Sequence, residues 1–236
     1  MTWTEYWNGE TTIYANARHR SAHYQAVARD ILRHVSNPDA RVVDYGCGDT
    51  PCAHRLAAAC GHLFLCESAP SVRRRLAARY AGEAKISVLT PKQFEQLDPG
   101  TIDTIVVNSV VQYLSAAEFA HLLAVSRNKL CRTGRLVLAD VVPRHVGPLR
   151  DAVELLKFAA TNGFLFSAVA GLMKSYFSNY RQIRQALGFL QLDEWEAVRA
   201  LEQAGFVARR HYPNIGHNSR RMTFLAAVRR CDETAP

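Results

Sequence analysis

Short apolar runs alternate with helix-period stretches along most of the chain. Val42 and Val43 within Arg41–Tyr45 predict a first strand, since β-branched side chains suit a pleated surface covered on both faces. His62–Cys66 (HLFLC), Lys85–Leu89, Ile102–Val107 and Arg135–Val141 predict strands two to five. Between them lie helix patterns: Asn16 capping a helix to about Val35, Cys52–Cys60 stopped by Gly61, and Ala69–Tyr80 ended near Gly82. A further helix runs from Ser115 to Leu130, its start marked by the capping box Ser115–Glu118. From Pro143 to about Leu192 the pattern becomes helical and irregular, as an insertion after strand five. Asp193–Ala204 is a last helix, stopped by Gly205. Two closing strands, Phe206–Tyr212 and Arg221–Arg229, flank a polar turn containing Gly216, Asn218 and Ser219 and must pair antiparallel. This alternation predicts an α/β fold, a mostly parallel sheet with helices on both faces. The expected organisation is a single domain, 1–236, with an N-terminal helical cover (1–35) and a helical lid (143–192).

The segment RVVDYGCGDTP, Arg41–Pro51, carries the first chemistry. Asp44 sits at the carboxyl end of the strand, and Gly46 and Gly48 let the backbone turn with no Cβ between it and a ligand. A dinucleotide fingerprint would place a third glycine where Pro51 stands, and no Gly-Lys-Ser/Thr follows for a P-loop. Pro51 is expected in the first turn of the next helix. Glu67 closes the second strand 21 residues after Gly46. A carboxylate there can accept from both hydroxyls of a ribose, or favour the dipole of the helix that follows.

Strand, Asp, x, Gly, x, Gly without a pyrophosphate cradle resembles motif I of class I S-adenosylmethionine-dependent methyltransferases of the small-molecule type. The likeness extends over essentially the whole chain, including a turn at Arg132-Thr133-Gly134 before strand five. It implies a seven-stranded sheet of order 3-2-1-4-5-7-6 with strand 7 antiparallel, and a helical lid after strand five. It also implies a methyl transfer to a small-molecule acceptor, with S-adenosylhomocysteine as the product. The cofactor contacts it implies are Tyr14, Asp44, Tyr45, Gly46, Cys47, Gly48, Glu67, Ser68 and, in the motif IV region NSVVQYL, Asn108, Ser109, Val110 and Tyr113. Where the family often has an Asp for the adenine, this chain has Leu89-Thr90-Pro91, so Thr90 takes that place. Asn108 and Ser109 are equally good helix caps.

Displacement at a sulfonium depends mainly on alignment and desolvation, helped by a base of near-neutral pKa. Histidine suits that role, and His145 and His217 are the candidates; His19 and His23 belong to the N-terminal cover. Tyr180, Arg181 and Arg184 in the lid are candidates for an anionic group on the acceptor. Neither an Asn/Asp-Pro-Pro-aromatic motif nor a motif IV cysteine is present, which weighs against nucleobase chemistry. Two alternatives stand beside this reading: a non-catalytic S-adenosylmethionine-binding regulatory module, and an RNA methyltransferase.

Composition narrows the partners. The formal net charge is +8, but the 24 arginines are spread along the chain, with runs no longer than two or three at Arg73–Arg75, Arg209–Arg210, Arg220–Arg221 and Arg229–Arg230, the usual pattern of a solvated surface. No nucleic-acid partner is expected, and a positive field can attract an anionic small molecule. The six cysteines show no zinc spacing, so no metal is expected, and they suit a reducing, cytoplasmic setting. The N-terminus lacks the pattern of a secretory signal. Phe158–Met173 is apolar but too short to span a bilayer, so no membrane span is expected.

Overall fold

The computed structural model describes residues 2–9, 14–144, 148–176 and 188–229. Seven strands form one sheet: β1 (Arg41–Tyr45), β2 (His62–Cys66), β3 (Ile86–Leu89), β4 (Ile102–Asn108), β5 (Leu130–Val141), β6 (Phe206–His211) and β7 (Met222–Val228). Their order is β3-β2-β1-β4-β5-β7-β6, with β7 antiparallel to both β5 and β6 and the other neighbours parallel. This is the expected topology. β1 is central between β2 and β4, which is why Val42 and Val43 are wholly buried.

Side-chain alternation splits the interior into two cores. Val43, Ile105, Val107, Leu136 and Leu138 point to one face and pack with Phe94, Phe119, Leu123 and Leu201. Those partners come from α5 (Pro91–Glu95), α6 (Ala116–Lys129) and α9 (Glu194–Gln203). Val42, Leu63, Val106 and Val137 point to the other face and meet Ile31, Ala53, Leu56 and Leu76. These lie on α2 (Ala17–Leu32), α3 (Ala53–Ala59) and α4 (Pro70–Arg79). Each valine, leucine, isoleucine or phenylalanine among them contributes about 1.5–3 kcal/mol on burial, the main force behind the layers. α1 (Trp3–Asn8), α7 (Pro148–Asn162) and α8 (Leu165–Tyr176) lie outside them.

The predicted caps Asn16 and Ser115 hold, Ser115 with its Glu118 box. Several local expectations do not. Pro51 precedes α3 rather than opening it, because Cys52 takes the N-cap position. Gly61 does not end α3 by a left-handed turn; a Cβ there would press on the Asp39 backbone at 2.5 Å, so the glycine is required by close packing. Arg132-Thr133-Gly134 is not a turn before β5 but lies inside it, where pairing with β4 shifts register between Ile102 and Thr104. Asn108 and Ser109 cap no helix, since the short 3-10 turn Val111–Tyr113 follows Val110 without a side-chain cap. Among the arginine groups taken for solvated surface, Arg210 and Arg221 have side chains only 13% exposed, and Arg221 binds Asp151 at 2.7 Å. No described helix is long and apolar enough to cross a membrane.

Candidate functional site

The carboxyl ends of β1, β2, β4 and β5 converge at one edge of the sheet. At β1 the chain turns through Gly46 and Gly48, both with positive φ (72° and 59°). The turn is tied to β2, as Gly46 N–H donates to the Cys66 carbonyl at 2.7 Å. Neither glycine has room for a side chain: a Cβ on Gly46 would overlap Val110 Cγ2, and one on Gly48 would stand 3.0 Å from the Tyr24 hydroxyl.

Glu67 reaches back across this turn. One carboxylate oxygen accepts from Gly48 N–H at 3.0 Å and the other from Ala69 N–H at 2.8 Å, leaving each oxygen further accepting capacity. Asp44 is 5% exposed, and its carboxylate accepts no hydrogen bond among the described residues. Burial, then the neighbouring Glu67 charge, pushes its carboxyl up to about 7. Two carboxylates and a bare backbone turn therefore face one another.

Past the turn, Asp49 gathers Arg20, Arg75 and Arg79, and its N–H donates to the Tyr24 hydroxyl at 3.0 Å. These bonds clamp α2 and α4 to the glycine turn. Tyr14 packs on Tyr24, the ring centroids 5.8 Å apart and the planes tilted by 50°, so the N-terminal segment reaches this edge. α1 closes from the other side: Trp3 and Trp7 pack on Tyr113, and Asn8 accepts from Ser71 N–H at 2.8 Å.

The β4 and β5 tips supply a feature that was missed. Ser109 and Asp140 are non-glycine residues with φ near +57° (58° and 56°), and the Ser109 hydroxyl donates to Asp140 Oδ2 at 2.7 Å. Side-chain-bearing residues pay for that conformation, so it persists only where neighbours fix it. Asn214 is the fixing neighbour, accepting from Asp140 N–H at 3.2 Å. An acid at a strand's carboxyl end, the rule that selected Asp44 and Glu67, would have found Asp140. Beside it, Asn108 Oδ1 and Gln112 Oε1 are buried and have no hydrogen-bond partner among the described residues.

His217 lies in the loop between β6 and β7, which is bound down on several sides. Gly216 N–H donates to Asp30, Asn218 to Asp151 and Ser219 to Glu154. His217 stacks on Phe158 (4.4 Å, 19°), while His19 stacks on Phe164 (4.7 Å, 15°). His23 is 5.9 Å and His19 6.5 Å from His217 between ring centroids. Burial lowers all three imidazoles, His19 to about 4 and His23 to about 3, so each is neutral near pH 7. Asp140 opposes this at His217, drawing its pKa back up.

The other sequence candidates lie at the margin of this edge or away from it. The Thr90 side chain caps α5, accepting from Gln93 N–H at 3.1 Å. Tyr45 packs on Phe94 (5.4 Å) in the opposite core, and the Cys47 side chain is buried among α3 neighbours, so both offer the edge only backbone. The Ser68 hydroxyl leans on Glu67 at 3.4 Å. His145, Tyr180, Arg181 and Arg184 lie outside the described residues. No metal-holding group of three or more His, Cys, Asp or Glu occurs among the described residues.

No protein-family model matches the chain, and no curated protein matches it. Solved structures do. The methyltransferase in complex with the Haloferax volcanii Trm112 methyltransferase activator aligns with TM-score 0.62 at 13% identity, over 98% of this chain and 99% of its own. Magnesium protoporphyrin IX methyltransferase (ChlM) from Synechocystis PCC 6803, solved with bound SAM, gives 0.58 at 16% identity, over 97% and 89%. The pyocyanin biosynthetic protein PhzM gives 0.56 at 16% identity over 86% of this chain, which spans only 55% of the PhzM chain. With its strand order and antiparallel β7, the chain has the fold of the class I methyltransferases.

Proposed function

We propose that the chain is an S-adenosylmethionine-dependent methyltransferase acting on a small-molecule acceptor that is partly apolar. The observation that carries this reading is the meeting of Asp44, the Gly46–Gly48 turn and Glu67 at the carboxyl ends of β1 and β2. In open α/β sheets ligands bind at that edge.

The residues present fit the cofactor. Glu67, anchored by two backbone N–H groups, keeps lone pairs for two ribose hydroxyls. Asp44 is a buried carboxylate with no cation beside it among the described residues, and a ligand ammonium would satisfy it. Asn108 Oδ1 is a buried acceptor without a donor among the described residues. When bound, the cofactor supplies an electrophilic methyl group. The chain's own part is to orient and dry the site: α1, Tyr14 and Tyr24 exclude water from the turn, and Phe158 and Phe164 offer an apolar wall.

His217 is the base in this reading. It is held neutral by burial, and Asp140 stabilises the imidazolium formed when it takes a proton from a hydroxyl or amine. Phe158 fixes its ring plane.

Isothermal titration of the full chain with S-adenosylmethionine and S-adenosylhomocysteine tests the reading. Both should bind, and Glu67→Gln should weaken binding about 100-fold through lost charged hydrogen bonds, with circular dichroism establishing that the variant is folded, since the amide can accept from only one of the two backbone N–H groups. No heat from either ligand with folded wild-type protein refutes it.

A further inference from the structure

Beside the histidine cluster, α2 and α7 bound an open groove of about 1080 Å³ that takes in His217 and Phe158 and whose remaining lining the proposed chemistry does not use. Arg18, Arg29, Arg55 and Lys157 line it, against a single carboxylate, Glu154. Glu154 is already held by Lys157 at 2.8 Å and by Ser219 at 3.0 Å. Arg18 and Arg55 make no ion pair among the described residues. Arg29 is paired with Asp30 at 3.0 Å, so the uncompensated positive charge of the groove is that of Arg18 and Arg55.

At its end the chain turns at Gly163 (φ 71°) from α7 into α8. The Arg18 guanidinium lies over that turn, 3.1 Å from where a Gly163 Cβ would stand. Along α8 the positions then divide. Phe164, Ala168 and Gly171 face inward, Phe164 onto His19 and Gly171 over Ala15. Leu165, Phe166 and Val169 face outward, 40%, 91% and 47% exposed. An apolar helix face beginning on a tight turn, next to unpaired arginine, has the two components of interfacial binding.

We propose that this corner, the outward face of α8 with the Arg18–Lys157 groove, docks the protein on an anionic lipid bilayer. Phe166, Leu165 and Val169 enter the acyl boundary, and the groove cations meet the headgroup phosphates. Charge complementarity selects a bilayer over a protein partner. The apolar side chains are exposed and do not line the groove, and mobile headgroups can match cations spread along two helices. The formal net charge of +8 adds a favourable long-range field.

Flotation with sized vesicles tests this, using the full chain and two lipid compositions: phosphatidylcholine alone, and phosphatidylcholine with about one-third phosphatidylglycerol. Binding should occur only to the anionic vesicles and fall with salt. Phe166→Glu should weaken it at least about tenfold, and Phe166→Ser less. Arg18→Glu with Arg55→Glu should weaken it more than about 20-fold, at about fivefold per charge. Circular dichroism and light scattering on each variant confirm fold and monomer or oligomer state. Any of three results overturns the proposal: no binding to anionic vesicles, equal binding to both compositions, or a self-associated wild type that Phe166→Glu disperses, which would make the face a contact between copies. The readout is independent of methyl transfer, so its failure leaves the proposed function standing.

Discussion

Replacing Gly46 by alanine tests how the glycine turn is built. The new methyl group meets two separate penalties. The backbone at φ 72° is left-handed, which costs an alanine about 1–2 kcal/mol. The Cβ also overlaps Val110 Cγ2, and relieving such overpacking costs about 1–3 kcal/mol. Together they remove about 2–5 kcal/mol from a domain whose whole stability is about 5–15 kcal/mol. The turn cannot swing away cheaply, because Gly46 and Cys47 both donate to the Cys66 carbonyl, at 2.7 and 3.2 Å. Urea unfolding, followed by fluorescence and circular dichroism together, should show the midpoint fall by about 1 M or more. Pairing the change with Val110→Ala separates the penalties. The double variant should recover the steric share, giving a coupling energy of about 1–3 kcal/mol, and keep the dihedral share. Additive single and double variants would refute the contact between Val110 and the turn. Full recovery would refute the dihedral cost.

Two pH effects follow from the buried groups. Asp44 titrates near 7 in the folded chain and near 3.8 when unfolded, so the native state holds the extra proton between those values. Stability therefore falls as pH rises from about 4 to 7, by a few kcal/mol at most, and Asp44→Asn should remove that decline and gain on wild type above about pH 7; superimposable profiles would contradict the burial. The imidazoles run the other way. His19, His23 and His34, at about 4, 3 and 4, sit below the ordinary 6.5, so the unfolded chain takes up protons first and stability is lost as pH drops below 6.5. Their ring-proton NMR shifts should stay constant down to about pH 5, and a midpoint between about 6 and 7 for His23 would refute the packed cluster.

What the sequence determined was local and periodic. β-branched pairs such as Val42–Val43 and Val106–Val107 mark strands buried on both faces, because only a central parallel strand needs apolar side chains in both directions. Capping residues Asn16 and Ser115 act within four residues of themselves, so their bonds were legible before folding. Gly46, Gly48 and the acids Asp44 and Glu67 were legible too, since each follows directly on its own strand.

What the tertiary structure decided required contacts between distant parts of the chain. Gly61 looked like a helix stop and proved to be a close approach to Asp39, a distinction set by packing rather than by its neighbours in sequence. Asp140 became a site candidate through Ser109 and Asn214, which strand order alone brings beside it. His217 meets His23 and Phe158 because the loop carrying it is bonded to α2 and α7. The same α7–α8 turn leaves Phe166 facing outward while Phe164, two residues earlier, is buried against His19. An apolar run records how much surface can be buried; which side finds a partner depends on the elements that fold around it.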